Sequence, residues 1–132
     1  MIIQSKRVFI SGQFMQAQIK IDGPKIAAVL PYNQEKATVD HGDLMVVPGF
    51  IDVHTHGAYG YSVDGGKPEG MMKWLSKLPE EGVTSFLPTT ATNYQEVTLA
   101  ALKNIVAVRA KKPRGAQILG AHLEGPFLDH TF

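Results

Sequence analysis

The sequence contains no cysteine, no long apolar run and almost no excess of charge, and each absence excludes a class of protein or site. Without cysteine the chain forms neither disulfide bonds nor thiolate metal sites, so histidine, aspartate or glutamate must hold any metal. No apolar run approaches the roughly 18–20 residues that a transmembrane helix needs. With 13 lysines and arginines against 12 acidic residues, the net charge of +1 predicts neither nucleic acid nor a membrane as partner.

The amino end, MIIQSKRVFISG, lacks the apolar core and the small-residue cleavage site of a secretory signal, so we expect a cytoplasmic location. Residues 1–48 have the pattern of a small β unit. Strands are predicted in IIQSKRVFI, on both sides of a turn at Asp22-Gly23-Pro24, and in DLMVVPG. A unit of this kind buries little apolar surface by itself.

After Pro48 the pattern changes to alternating strands and helices, which spans residues 49–132. Strands are predicted in GFIDVH, VTSFLP and AQILGAHLEG, and the first helix from Pro68 to about Leu78. A second helix is predicted over about 94–111, opened by Asn93 and Glu96 as a capping-box variant. The order β-α-β-α-β indicates an α/β fold with parallel strands and right-handed crossovers.

Potential metal ligands follow two of these strands. His54 and His56 lie two residues apart and therefore project from the same face of a strand, so their imidazoles are able to converge on one ion. Glu124 ends the third strand, where a buried carboxylate is costly unless it is paired or bound to metal. Chemistry in such sheets lies at the carboxyl ends of the strands. The alternatives are two incidental histidines and an exposed loop glutamate.

Other polar residues have two interpretations. His122 shares a strand face with Glu124 and is either a partner of a ligand or, as we favour, a core histidine. Asp52 either accepts a hydrogen bond from a ligand imidazole or stabilises the junction of strand and loop. His41 and His130 lie in turn-like segments and are expected to be solvated.

Three motifs together, PGFIDVHTHGAYG, LPEEGVTSFLPTT and ILGAHLEGPFL, resemble the amino-terminal third of the N-acetylglucosamine-6-phosphate deacetylase family, within the amidohydrolase superfamily. Many relatives, such as dihydroorotase-like enzymes, use a bridging lysine on the fourth strand. In the deacetylases a glutamate on the third strand takes its place, and this position matches Glu124. His54 and His56 match the metal pair of the first strand.

The resemblance implies the start of a (β/α)8 barrel, with about three strands and two helices in residues 49–132, and a composite β-sandwich domain to which residues 1–48 contribute. It implies hydrolysis of N-acetylglucosamine 6-phosphate to glucosamine 6-phosphate and acetate. The implied cofactor is one or two divalent ions, Zn²⁺ or Fe²⁺ first, with Mn²⁺ or Co²⁺ as further options.

The resemblance also implies that the catalytic machinery is incomplete here. The general acid or base, an aspartate, is expected beyond Phe132, so the chain contains no catalytic residue of its own and its substrate-binding residues are unknown. We expect an amino-terminal fragment that is inactive alone and forms homo-oligomers through unpaired strands. The alternatives are a non-catalytic, self-associating α/β module and a fragment of another amidohydrolase, for example a dihydroorotase-like enzyme.

Overall fold

A computed structural model describes residues 1–129 and 131 of the chain. The chain divides into two compact regions, which are treated separately here: the first region, Met1–Pro48, and the second region, Gly49–Phe132. Within the described residues, no helix combines the length and the apolar character that crossing a bilayer requires.

The first region is a five-stranded sheet of β1 Ile2–Ile10, β2 Gln13–Asp22, β3 Lys25–Pro31, β4 Val39–Asp40 and β5 Met45–Val46. The strand order is β3-β2-β1-β4, with β5 also pairing with β1. The antiparallel pair β2 and β3 confirms the predicted hairpin at Asp22-Gly23-Pro24, whereas the pairing of β1 with β2 and the strand β4 were not predicted. Both short strands run parallel to β1.

Polar side chains occupy much of the interior of the first region. Its buried apolar cluster consists only of Val8, Ala17 and Ile19. Gln4 and Gln18 are also buried, with 5% and 0% exposure. A small sheet with so few apolar residues must satisfy its buried amides by hydrogen bonds.

In its described residues, the second region is a four-stranded parallel sheet with two α-helices, so the predicted α/β class is confirmed. The elements in chain order are β6 Phe50–Thr55, α1 Pro68–Lys77, a 3-10 helix Leu78–Glu81, β7 Val83–Thr90, α2 Gln95–Ala110, β8 Gln117–Ile118 and β9 His122–Leu123. Strand β7 is central, because β6, β8 and β9 each pair with it in parallel.

Helix α1 forms as its apolar spacing predicts. Met71, Trp74 and Leu75 are buried on one face, and Pro68 occupies the first turn, where no hydrogen bond of its nitrogen is lost. The 3-10 helix follows α1 directly and ends at Gly82. The φ of Gly82 is +83°, a conformation that glycine adopts at little cost.

Two details differ from the predictions for the second region. Helix α2 begins after Tyr94 without a side-chain cap, so the predicted capping box of Asn93 and Glu96 is wrong. The Asn93 Oδ1 instead accepts the N–H of Tyr94 at 2.8 Å, a local contact that competes with capping. The predicted third strand is instead two short strands, β8 and β9, because residues 119–121 leave the regular strand ladder after the Leu119 N–H donates to the Phe86 carbonyl at 3.1 Å.

The core of the second region lies between the sheet and its helices. Ala101, Ile105 and Val108 of α2 are buried, as the periodicity predicts. Trp74 contacts Phe86 of β7 edge to face, with 4.9 Å between ring centroids. The buried cluster is Val63, Met71, Trp74, Leu75, Leu78, Phe86, Ala101, Ile105, Val108, Ala116 and Ile118.

Candidate metal centre

His54, His56 and Glu124 meet at the carboxyl ends of the strands in the second region. His54 lies at the end of β6, His56 follows that strand directly, and Glu124 follows β9. Both strands pair in parallel with β7, which brings their carboxyl ends to the same edge of the sheet. The structure thus places the three predicted ligand residues together, although 70 positions separate His54 from Glu124.

The donor atoms of the three residues form a small triangle. The His54 Nε2 lies 2.8 Å from the Glu124 Oε2 and 3.2 Å from the His56 Nε2. The third edge, from the His56 Nε2 to the Glu124 Oε2, measures 3.0 Å. Two ligands of a tetrahedral ion with bonds of about 2.0–2.1 Å lie about 3.3 Å apart. The residues therefore fit a divalent cation after small outward shifts.

The backbone of neighbouring strand β7 orients His56. The His56 Nδ1 lies 3.1 Å from the carbonyl oxygen of Thr89, so in the neutral ring this nitrogen donates its hydrogen. In that tautomer the Nε2, which lies 3.0 Å from the Glu124 Oε2, has the lone pair that a metal ion needs. This tautomer is the one required of an imidazole that binds metal through Nε2.

The two imidazoles also favour the ionised form of Glu124. The hydrogen bond with His54 is the main cause that holds the pKa of the Glu124 carboxyl below its usual range, and interactions with His56 add to it. Burial acts in the opposite direction. The carboxylate is therefore charged at neutral pH, as a metal ligand must be.

The triangle is open to solvent. The side chains of His54, His56 and Glu124 are 49%, 46% and 37% exposed. Within the described part of the chain, these three residues are the group of histidine and acidic side chains whose donor atoms converge closely enough for one ion. Solvent and small ions are therefore able to reach this edge of the sheet.

Two further candidates lie beside the triangle without joining it. The Asp52 Oδ1 accepts the backbone N–H of His54 at 3.1 Å, which favours the strand-junction interpretation over a bond to an imidazole. The preferred interpretation of His122 as a core histidine is wrong, because the residue is only partly buried. Its Nδ1 lies 2.9 Å from the carbonyl oxygen of Val53, and its ring contacts that of His54 with centroids 4.6 Å apart.

The remaining histidines lie apart from this group or outside the described residues. His41 follows β4 in the first region and is partly buried, so it is less solvated than predicted. His130 lies outside the described residues. Thr89, which contacts the β6 strand end, was not predicted to matter, although the motif PTT at the end of β7 marks the position.

Comparisons with known proteins agree with this arrangement. The sequence model of the amidohydrolase family matches residues 45–130. The N-acetylglucosamine-6-phosphate deacetylase of Bacillus subtilis is 40% identical over 101 residues, which cover 74% of this chain and 25% of the relative. The N-acetylgalactosamine-6-phosphate deacetylase of Escherichia coli O157:H7 is 32% identical over 127 residues, or 96% of this chain and 33% of the relative.

A solved structure extends the likeness to the fold. The crystal structure of N-acetyl-D-glucosamine-6-phosphate deacetylase from Mycobacterium smegmatis has a TM-score of 0.82 and 25% identity, and the match covers 98% of this chain and 36% of that one. The chain thus spans between 25% and 33% of the length of the two curated relatives. The resemblance inferred from the three motifs is confirmed.

Proposed function

Because the chain belongs to the amidohydrolase family, we propose that it is part of a metal-dependent deacetylase that converts N-acetylglucosamine 6-phosphate to glucosamine 6-phosphate and acetate. The observation that carries the proposal is the triangle of His54, His56 and Glu124, with edges of 2.8–3.2 Å. The proposed substrate is the one for which the similar proteins from Bacillus subtilis and Mycobacterium smegmatis are named. The match covers only 25% of the Bacillus subtilis deacetylase, so the activity is proposed for the whole enzyme.

The second region is proposed to be the beginning of a (β/α)8 barrel. The parallel pairing of β6, β7 and β8 and the two intervening helices support this architecture. Residues 1–48 are proposed to belong to a composite β-sandwich domain. In a barrel the site would lie on the carboxyl-end face, which is where the triangle is found.

Each side chain of the triangle has a distinct task. His54 and His56 offer neutral nitrogen donors, and Glu124 supplies a negative charge that offsets part of the charge of a cation. A divalent ion bound here would supply Lewis-acid polarisation of the acetamide carbonyl and a more acidic water. Thr89 and the backbone of β7 hold the His56 ring in position.

The donor set suits several divalent ions. Nitrogen and oxygen ligands without sulfur favour Zn²⁺ or Fe²⁺, and they also accept Mn²⁺ or Co²⁺. The two histidines together support one or two ions in the complete site. A cytoplasmic location remains a prediction from the sequence.

Zinc binding by the chain itself tests the metal site directly. We expect one Zn²⁺ per chain in isothermal titration calorimetry, with binding lost in His54→Ala and in Glu124→Gln. His41→Ala is the matched control, because it removes an imidazole from the first region, and it should bind as the wild type does. Equal binding by all four proteins would contradict the assigned ligands.

A chimera tests the activity. In it, this chain replaces the aligned segment of the Bacillus subtilis deacetylase, and acetate release from N-acetylglucosamine 6-phosphate is measured with Zn²⁺ present. Turnover that disappears in His54→Ala supports the proposal. A folded chimera that binds metal but hydrolyses only dihydropyrimidine-type cyclic amides would favour the dihydroorotase-like alternative, and one that binds no metal the non-catalytic module.

One relative supplies a second candidate substrate. The similar protein from Escherichia coli O157:H7 that is named for N-acetylgalactosamine 6-phosphate is 32% identical over 96% of this chain, compared with 37% over 92% for the human N-acetylglucosamine-6-phosphate deacetylase. The chimera should therefore be given both sugars. A higher kcat/KM for the galactosamine epimer would reassign the substrate and leave the deacetylase chemistry unchanged.

Self-association is proposed for the chain as it stands. Strand β6 is at the edge of its sheet in the described residues, and Phe50, Ile51 and Val53 are 63%, 60% and 58% exposed. Exposed apolar edge strands pair readily with other chains. Ile51→Lys should shift sedimentation towards the monomer, whereas Leu44→Lys should not, because Leu44 is 68% exposed but lies in a bend of the first region outside any strand. A monomeric wild type at high concentration would contradict this.

A further inference from the structure

Thr89 makes three hydrogen bonds beside the metal ligands, although it contains no metal-binding group. It lies next to the end of β7 and is 0% exposed. Its Oγ1 accepts the backbone N–H of Thr55 at 2.9 Å and donates to the Leu87 carbonyl at 3.1 Å. Its own carbonyl oxygen accepts the Nδ1 hydrogen of His56 at 3.1 Å.

The contact with Thr55 replaces a missing hydrogen bond between strands. The register of β6 against β7 shifts between Asp52 and Thr55, so regular pairing is interrupted next to the two histidines. Thr55 then lies opposite Pro88, and its N–H finds the hydroxyl of Thr89 as acceptor. Register shifts of this kind redirect side chains and are frequent near active sites.

Thr89 contacts the strand end that carries both histidines of the triangle. Its hydroxyl accepts the N–H of Thr55, the residue between His54 and His56, and its carbonyl accepts the Nδ1 hydrogen of His56. Across the sheet, Thr89 pairs with His122 of β9, the strand that leads to Glu124. An ordinary buried threonine would be satisfied by the bond to Leu87 alone, which involves only its own strand.

We propose that Thr89 is a positioning residue that holds His56 in the Nδ1–H tautomer, with Nε2 directed at the ion shared with His54 and Glu124. This inference rests on the proposed metal site. The hydroxyl acts through the backbone of Thr55, and the carbonyl acts directly on the His56 ring. Partners that orient a ligand in this way typically change metal affinity about 10–100-fold.

The test measures Zn²⁺ affinity of the whole chain by competition with a chromophoric chelator. Thr89→Val keeps the shape but removes the hydroxyl, and we expect Kd to rise about 10–100-fold. Thr89→Ser restores the hydroxyl and should return Kd to within about threefold of the wild type. Thr90→Val is the matched control. Thr90 is 1% exposed, its side chain projects from the opposite face of β7, and the variant keeps the backbone carbonyl that accepts the Glu124 N–H at 3.1 Å, so its Kd should not change.

A second readout reports the ring directly and needs no metal. Long-range ¹⁵N–¹H correlation spectra of the metal-free chain at pH 8 distinguish the two neutral tautomers of His56. The wild type and Thr89→Ser should show the Nδ1–H form, and Thr89→Val a mixture. A wild type with Nε2–H on His56 would overturn the inference, and this outcome does not depend on whether any variant folds.

The outcomes separate this inference from the proposed function. If the wild type binds no Zn²⁺, the metal site fails, while the tautomer measurement still decides the role of Thr89. If the wild type binds Zn²⁺ and Thr89→Val binds equally with the same tautomer, the inference alone is wrong. If Thr90→Val weakens binding as much as Thr89→Val, the effect belongs to strand packing, and the inference is also overturned.

Discussion

The two regions of the molecule differ in how fully their buried polar side chains are hydrogen-bonded. In the first region, Gln18 donates to the Gln4 Oε1 at 2.6 Å and to the Glu35 carbonyl at 2.7 Å, and it accepts the Glu35 N–H at 3.0 Å. Gln4 in turn donates to Asn33 and Asp40, at 3.0 and 2.9 Å. This network satisfies both buried amides and connects the strands to the chain between β3 and β4.

The second region has a larger apolar core and leaves polar groups without partners. Among the described residues, three buried side-chain atoms lack a hydrogen bond, namely the Tyr61 Oη, the Asp64 Oδ1 and the Trp74 Nε1. His54, His56 and Glu124 of the same region lie together at the strand ends. A closed network is typical of structural support, whereas converging donors with spare capacity are typical of a binding site. The difference agrees with the metal site that is proposed for the second region.

The largest expected effect comes from the apolar core of the second region. Phe86 is 0% exposed and packs on Trp74, so Phe86→Ala should lower the free energy of unfolding by about 3–5 kcal/mol. The only tryptophan is Trp74, so its fluorescence during urea denaturation reports this region. Phe14→Ala removes a 44% exposed ring of the first region and should cost less than about 1 kcal/mol. An equal loss of unfolding free energy in the two variants would contradict the expected difference between the two regions.

Metal should stabilise the second region selectively. At free Zn²⁺ about 100 times Kd, the free energy of unfolding should rise by about 2.7 kcal/mol, because only the folded site binds the ion. Hydrogen exchange resolved by region should show slower exchange in residues around His54 and Glu124, reversed by EDTA. His54→Ala should show no such effect. Equal protection of residues 1–48 would indicate that the response is not local to the site.

Breaking the polar network should destabilise the first region. Gln18→Leu replaces the amide with an apolar side chain of similar size and leaves the Glu35 N–H without its partner. The free energy of unfolding should fall by about 1–3 kcal/mol. Faster exchange of the Glu35 amide is the measurement. Gln16→Leu, on an exposed position of the same strand, is the control. A neutral or stabilising Gln18→Leu would show that the network is replaceable by apolar packing.

The smallest effect concerns alkaline pH. Burial raises the pKa of Tyr61 from 10.0 to about 12. The folded state therefore retains this proton above pH 10 while the unfolded state loses it, and the associated stability, complete below pH 10, declines as the pH rises through about 12. Urea unfolding at pH 9 and 11 measures the decline. Tyr61→Phe should reduce it, and an unchanged slope in that variant would contradict the assignment.

Local patterns predicted most of the elements and the ligand types, but not the details at their ends. The stripe of Met71, Trp74 and Leu75 predicted α1 because a helix needs one apolar face, whatever covers it. Asn93 failed as a cap because a single side chain has several local partners, and the sequence does not rank them. The split of the third strand into β8 and β9 depends on pairing with β7, which is a contact between distant residues.

The sequence by itself determined the periodicity of the helices, the parallel order of the strands and the restriction of any metal site to nitrogen and oxygen donors. These properties follow from neighbouring residues and from composition. Only the tertiary structure decided that Glu124 reaches His54 at 2.8 Å and that the Thr89 carbonyl contacts His56 beside an interruption of the strand pairing. The physical reason is that register and convergence are set by pairing across the sheet, whose energy is shared among residues far apart in the chain.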